Sequence, residues 1–258
     1  MLIYESSKEK LDKLNNKINK PKTNEAYECC VRAYALRINE RFIESVNEYK
    51  RALQVEPENI DALNGLIFCC QKAQEQEEAL KYCNRLRRLT PFDKKVYYQM
   101  GCLEYELENY VSSIKCFIKA IKLSPQYYEA VYALGQSHEA IEEFEMASMI
   151  YSKIIEERPS YIKAYNNLGN LYVKMKEYKK AIEAYKKLIS INPEFYKAYL
   201  GMAIAYDKAG VNFEARKYYK KYLKLKPFSG QREFVQTRLR DLRPSSSGRS
   251  TANLQLVR

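Results

Sequence analysis

The sequence predicts an all-α solenoid, a row of helix pairs stacked one on the next. Three observations predict it. Six of the eight prolines, Pro57, Pro91, Pro125, Pro159, Pro193 and Pro227, follow one another at intervals of 34 residues. Between them, small and aromatic residues recur at fixed offsets. The composition is rich in Lys, Glu, Leu, Ala and Tyr, with 8 Gly, 8 Pro and no Trp. Such side chains lose little freedom on a helical backbone. A fixed period of this length marks an array of supersecondary units, each too small to bury its own apolar stripe. The 258 residues are enough for a sizeable core.

With each proline as the thirty-second residue of its unit, six repeats cover residues 26–59, 60–93, 94–127, 128–161, 162–195 and 196–229. The twentieth position then reads Ser45, Ala79, Ser113, Ala147, Ala181 and Ala215, small in every repeat. A small residue there lets two helices cross closely. The twenty-fourth reads Tyr49, Cys83, Phe117, Tyr151, Tyr185 and Tyr219, mostly an aromatic that fills the core. The eighth reads Ala33, Ile67, Gly101, Gly135, Gly169 and Ala203. Apolar residues recur at helical spacing in each unit. In the fifth repeat Tyr165, Leu168 and Tyr172 mark one helix, and Ala181, Ala184, Tyr185 and Leu188 a second. Thr90-Pro91, Ser124-Pro125 and Asn192-Pro193 each place a capping side chain before a proline. Each proline is therefore expected to open the first helix of the next unit, where its missing N–H is harmless.

These columns resemble the tetratricopeptide repeat over residues 26–229. The fifth repeat is most alike, with Tyr165, Leu168, Gly169, Tyr172, Ala181, Tyr185 and Pro193 in place. The first repeat departs, with Cys29 and Arg32 where an aromatic and a leucine are usual, and the second has Ile67 for glycine. The second departure is expected to alter helix packing locally without changing the fold. The resemblance implies a right-handed superhelix whose concave face, lined by the first helices, receives an extended peptide or partner helix.

The flanks differ from the array. Leu11, Leu14 and Ile18 predict a short amphipathic helix within residues 7–20, so residues 1–25 read as helix and linker. Phe234, Val235, Leu239 and Leu242 predict a capping helix over residues 230–243. Residues 244–258 are rich in Ser, Gly and Thr and are expected to be disordered. Residues 215–258 hold 12 basic and 2 acidic residues, most of the chain's formal charge of +12. A basic end of this kind suits nucleic acid or an anionic surface. A solvated face on Lys-rich helices is the preferred reading, since no nucleic-acid-binding motif is present.

The residue inventory favours binding over catalysis. Seven cysteines form no CxxC pair, so neither a zinc site nor a disulfide framework is expected. Free thiols packed as small apolar residues suit a reducing compartment, and with no leader or membrane-length apolar run the chain is expected to be cytoplasmic. No GxSxG or phosphate-cradling glycine loop occurs, and no cofactor is expected. The one histidine, His138, shares the eleventh position with Glu104 of the preceding repeat. A hydrogen-bonded pair between neighbouring first helices is the expected reading, ahead of a catalytic one.

Helical geometry places positions 2, 5, 6, 9 and 12 of each first helix on the side away from the second. The groove residues read there are Asn64, Phe68, Tyr98, Gln99, Tyr132, Gln136, Lys163, Asn166, Asn167, Asn170 and Lys197, accompanied by Asp61, Lys95, Cys102 and Asp207. Side-chain amides pair with peptide backbone without reading sequence, and tyrosines offer stacking area. Asn166, Asn167 and Asn170 resemble the asparagine-bearing repeats of the O-linked N-acetylglucosaminyltransferase superhelix, whose catalytic domain is absent here. The carboxylate clamp of chaperone-binding members is not expected: of its five positions only Asn167 and Lys197 match, beside Tyr132, Gln136 and Gly201. The function expected is a non-catalytic protein-interaction scaffold. Alternatives are an adaptor acting through the basic C-terminal region, or a targeting subunit for a separate glycosyltransferase.

Overall fold

A computed structural model describes residues 24–243 of the chain, which form thirteen α-helices and no strand. The helix expected within residues 7–20 and the tail after Arg243 lie outside the described residues. Six antiparallel pairs follow one another: α1 (Asn24–Ile38) with α2 (Phe42–Val55), α3 (Ile60–Lys72) with α4 (Gln76–Leu89), and α5 (Lys94–Glu106) with α6 (Tyr110–Leu123). Then come α7 (Tyr128–Ala140) with α8 (Phe144–Glu157), α9 (Ile162–Lys174) with α10 (Tyr178–Ile191), and α11 (Tyr196–Lys208) with α12 (Asn212–Leu225). A last helix, α13 (Arg232–Asp241), follows the sixth pair. The chain is thus an all-α helical repeat. It divides into two compact units between Ala130 and Val131, and each is described by itself.

One turn joins the two helices of every pair. The fifteenth position, Glu40, Gln74, Glu108, Glu142, Lys176 or Gly210, is left-handed, with φ between 59° and 77°. The next residue's N–H reaches back five residues to a first-helix carbonyl, as in Arg41 to Leu36 (2.9 Å), Glu143 to His138 (2.9 Å) and Val211 to Tyr206 (2.9 Å). This is the Schellman closure, which satisfies carbonyls that the helix end leaves open. Only the sixth repeat uses glycine, the residue with no steric penalty at positive φ.

The prolines act differently from the sequence expectation. Pro57, Pro91, Pro125, Pro159 and Pro193 do not open a helix; they sit in a turn that ends two residues before one. The N–H of the residue two places after each proline bonds the carbonyl of the residue before it, as in Asp93 to Thr90 (3.1 Å) and Phe195 to Asn192 (3.1 Å). Proline occupies the second place of that turn, where its fixed φ is an advantage. Thr90 and Asn192 accordingly end the preceding helix, and Thr90 Oγ1 donates to the Leu86 carbonyl (2.9 Å). The N-caps fall elsewhere: Asn59 accepts from Ala62 N–H and Asp93 from Lys95 N–H, both at 2.8 Å.

Close helix crossing follows from the small columns. Ala79, Ala147, Ala181 and Ala215 are fully buried. Ser45 and Ser113 occupy the same place and donate to the carbonyls of Ala33 (2.7 Å) and Gly101 (2.9 Å), so neither hydroxyl is stranded. The twenty-fourth-position ring lies against the eighth-position glycine of its own repeat. A Cβ on Gly101 would stand 2.5 Å from Phe117, one on Gly135 2.6 Å from Tyr151, and one on Gly169 2.6 Å from Tyr185. The second repeat inverts this arrangement, with Ile67 in the glycine's place and Cys83 in the ring's, both at 0 % exposure. Ile67 fills the space that the absent ring would take, so the volume is conserved.

In the first unit the core gathers Tyr49, Leu63, Leu66, Ile67, Leu86 and Leu103. In the second it gathers Tyr185, Leu188, Met202, Tyr219 and Tyr222, joined by Val235 and Leu242 from the end of the chain. There Arg238 holds Asp207 of α11 through two bonds, Nε to Oδ2 at 2.9 Å and Nη2 to Oδ1 at 2.8 Å.

Candidate functional site

The first helices carry the candidate binding surface, and its construction begins with buried rings. In the first unit Tyr98 of α5 lies between Phe117 and Tyr127, at centroid distances of 5.8 and 5.1 Å. In the second unit Tyr132 of α7 lies in the same way between Tyr151 and Tyr161, at 5.7 and 5.8 Å. Each is a fifth-position tyrosine held by its own repeat's core ring on one side and a turn tyrosine on the other. Such clamping removes rotamer freedom before any partner arrives. Burial, and then Cys102, push the Tyr98 phenol above its ordinary value, so it stays protonated.

The asparagines are anchored from below. Tyr185, 1 % exposed, donates its hydroxyl to Asn170 Oδ1 at 2.6 Å. Asn167 Nδ2 donates to the Tyr151 hydroxyl at 3.3 Å, and Asn166 Nδ2 reaches Asn167 Oδ1 at 3.4 Å. Burial raises both phenols, Tyr185 and Tyr151, which keeps them neutral. Asn170 is itself exposed, so a carboxamide fixed at its oxygen presents its NH₂ outward. Tyr151 also donates to Glu139 (3.4 Å), whose other oxygen accepts from Lys174 at 2.6 Å.

The remaining predicted residues vary in placement. Asn64, Phe68, Lys163 and Lys197 are exposed, while Gln99, Gln136 and Asn166 are half-buried. Phe68 is 37 % exposed and packs near Phe42, at 6.4 Å. The sixth position departs from the expected pattern. Gly65 and Gly201 are buried there, and a Cβ would stand 2.2 Å from Tyr49 or 2.3 Å from Tyr185 of the preceding repeat. The position is open to solvent only where the repeat interface leaves room. Asp207 is likewise taken up by Arg238 and by the Tyr219 hydroxyl (3.0 Å).

The eleventh-position pair also differs from expectation. His138 Nδ1 lies 2.6 Å from Glu143 Oε2, and Glu104 accepts from Asn109 Nδ2 at 3.1 Å. Each side chain bonds five residues ahead, onto the turn of its own repeat, because the Schellman closure brings that turn back over the helix end.

Residues missed by sequence reasoning are the supporting ones. Tyr127 and Tyr161 fall in the last position of a repeat, where a column of Tyr127, Tyr161 and Phe195 was visible. The hydroxyls of Tyr151 and Tyr185 gave no signal, since a core ring and a ring with a bonded hydroxyl read alike. All seven cysteines are free, and burial pushes the Cys102 and Cys116 thiols up to about 11. Such thiols are poor nucleophiles near neutrality. Among the described residues no group of three or more His, Cys, Asp or Glu is placed to hold a metal, and no helix is long and apolar enough to cross a membrane.

Comparison with known proteins bears on the repeats and the fold. Models of the tetratricopeptide repeat match residues 94–127, 162–195 and 197–229, so the chain carries tetratricopeptide repeats. No curated protein matches the sequence significantly. Among solved structures, the MamA protein is 28 % identical over 65 % of this chain and 92 % of its own, with a TM-score of 0.59. YrrB, described as a TPR protein with an unusual peptide-binding site, is 16 % identical over 73 % of this chain and 97 % of its own, with a TM-score of 0.58. PilF of Pseudomonas aeruginosa is 16 % identical over 83 % and 97 %, with a TM-score of 0.63. The last two show likeness of fold alone, that of an all-α repeat solenoid.

Proposed function

We propose that the protein is a non-catalytic scaffold that holds an extended peptide or partner protein along the concave face of its first helices. The observation that carries this reading is the tyrosine-anchored asparagine set of the second unit. Asn167 and Asn170 are each fixed by a core hydroxyl, and Tyr132 is clamped between two rings. A carboxamide held at one end is preorganised to pair with peptide backbone, and preorganisation lowers the ordering cost of binding. YrrB, with its peptide-binding site on a similar fold, is consistent with this use of the surface. The seven free thiols suit a reducing compartment such as the cytoplasm.

The test is affinity capture from the native cell with the full chain and the triple variant Tyr132→Ala, Asn167→Ala, Asn170→Ala. The proposal expects at least one partner to be lost while the far-ultraviolet circular dichroism is unchanged. Retention of every partner refutes the groove assignment.

A second reading has its own observation. Lys220, Lys221, Lys224 and Lys226 of α12 and its end are all exposed, as are Arg232 and Arg240 of α13. An anionic surface or nucleic acid bound there would show affinity that falls steeply with salt, and deletion of residues 230–258 would abolish heparin binding. A role as targeting subunit for a glycosyltransferase rests on Asn166, Asn167 and Asn170 alone. In this chain the bonds of Asn167 and Asn170 to tyrosines explain two of them without a sugar-transferring partner.

A further inference from the structure

Two places recur along the first helices where one repeat meets the next: the twelfth position of one and the thirteenth of its successor. In the second unit they hold Glu139 and Lys174, an ion pair at 2.6 Å. In the sixth repeat the twelfth position is Asp207, neutralised by Arg238 of α13 at 2.8 Å. In the first unit the same two places hold Arg37 and Lys72, both cations. They converge on one ring. Arg37 Cζ lies 4.8 Å from the Phe68 centroid and 4.7 Å from that of Tyr34, and Lys72 Nζ lies 5.6 Å from Phe68. Among the described residues neither forms an ion pair, so both charges on this ring lack a carboxylate, whereas Lys174 has Glu139.

Cations in the last turn of a helix complement its dipole, and that accounts for one on each helix. It does not account for two like charges on one ring where the fourth and fifth repeats place a Glu–Lys pair. Attraction to the ring faces offsets part of their repulsion. A guanidinium lying 4.7 and 4.8 Å from the Tyr34 and Phe68 centroids is positioned by both rings, and its fork of N–H groups suits a planar, bidentate acceptor. Phe68, 37 % exposed, gives that acceptor an apolar border.

Resting on the reading of this face as a docking surface, we propose that Arg37 and Lys72 receive an aspartate or glutamate side chain of the partner. The partner's carboxylate completes between the first two repeats the charge pair that Glu139 and Lys174 complete internally. A side-chain carboxylate is what meets Lys174 at the equivalent places of the fourth and fifth repeats.

The probe is a fluorescein-labelled peptide of alternating Glu and Gly, blocked at both ends, titrated with the full chain by fluorescence anisotropy. Comparison peptides replace Glu with Gln, restore a free C-terminal carboxylate on the Gln peptide, or replace one Gln with phosphoserine. Arg37→Gln with Lys72→Gln is expected to weaken the Glu peptide about tenfold or more, as loss of charged hydrogen bonds does. The charge-matched control Lys115→Gln with Lys122→Gln, on the exposed face of α6, is expected to stay within about twofold. Lys72→Glu supplies the carboxylate internally, and is expected to raise the urea midpoint and abolish peptide binding. The site is overturned by no binding to the unsubstituted chain, by equal loss in the control, by equal binding of the Gln peptide, or by preference for the chain end or the phosphate. Partner capture that still depends on Asn167 and Asn170 would then leave the groove standing without the carboxylate site. Capture indifferent to those residues removes the groove reading itself.

Discussion

Tyr185 is confined by two glycines, and Gly169→Ala tests that confinement. The new methyl would sit 2.6 Å from Cε1 and Cζ of a ring that is 1 % exposed. Gly201, from the following repeat, meets the same ring, where a Cβ would stand 2.3 Å from Cζ. Two glycines thus press on the same end of a buried ring, and moving it strains the 2.6 Å bond to Asn170. Overpacking of this kind costs about 1–3 kcal/mol, and a lost hydrogen bond adds about 1 kcal/mol. Alanine returns about 1 kcal/mol of helix propensity. The net expectation is a loss of about 1–3 kcal/mol, read from urea unfolding followed by far-ultraviolet circular dichroism. The second repeat supplies the control, because Ile67 and Cys83 show the fold accepting bulk where the ring is missing. In a Tyr185→Cys background the same Gly169→Ala change is expected to be neutral or stabilising. The double-mutant cycle should give a coupling of at least about 1 kcal/mol. Strict additivity of the two changes would refute the argument that ring and glycine share one space.

Three further outcomes follow from the geometry. Gly210→Ala is expected to lose about 1–2 kcal/mol through backbone alone, since φ is 77° and nothing lies within 4 Å of the added carbon, whereas Glu142→Gly, at φ 60°, is expected to gain up to about 1 kcal/mol. Thermal unfolding checks both, and equal effects in one direction would refute the left-handed assignment. Burial raises the Cys83 thiol from 9.0 to about 12, so the folded state keeps a proton that the unfolded chain gives up. That stabilisation is full below pH 9.0 and is lost as pH rises toward about 12; Cys83→Ala is expected to flatten the alkaline decline of the urea midpoint. Asp207→Asn removes the charge that grips Arg238 by two bonds, and is expected to cost about 1 kcal/mol. Amide hydrogen exchange should then quicken across α13 while α9 and α10 keep their protection.

Much of the fold could be read from the chain because repetition turns weak signals into strong ones. A single Ala181 or Tyr185 says little, but six residues at one offset reveal a packing constraint. The same columns misled where a residue type serves two geometries. Proline suits both a helix's first turn and the second place of a tight turn, and the tertiary turn selected the latter. The fifteenth-position turn escaped notice because Glu40, Gln74, Glu108, Glu142 and Lys176 adopt positive φ without being glycine. Nothing in those side chains announces it; the Schellman bonds of the helix end impose it.

For the candidate surface the division is sharper. Asn166, Asn167, Asn170, Tyr98 and Tyr132 could be chosen from helical spacing, since a period of 3.6 residues decides which side of a helix a residue lies on. Spacing along one helix carries no information about what the next repeat places beside it. That Asn170 is held by Tyr185 of the paired helix was decided by packing within a repeat, and that Gly201 closes a repeat interface and Arg37 and Lys72 meet on one ring by packing across repeats. The sequence by itself determined the repeat, the period and the helix faces, because these are local and are written six times. The tertiary structure alone decided which polar groups are already satisfied and which still lack a counter-charge, because that depends on residues distant in the chain.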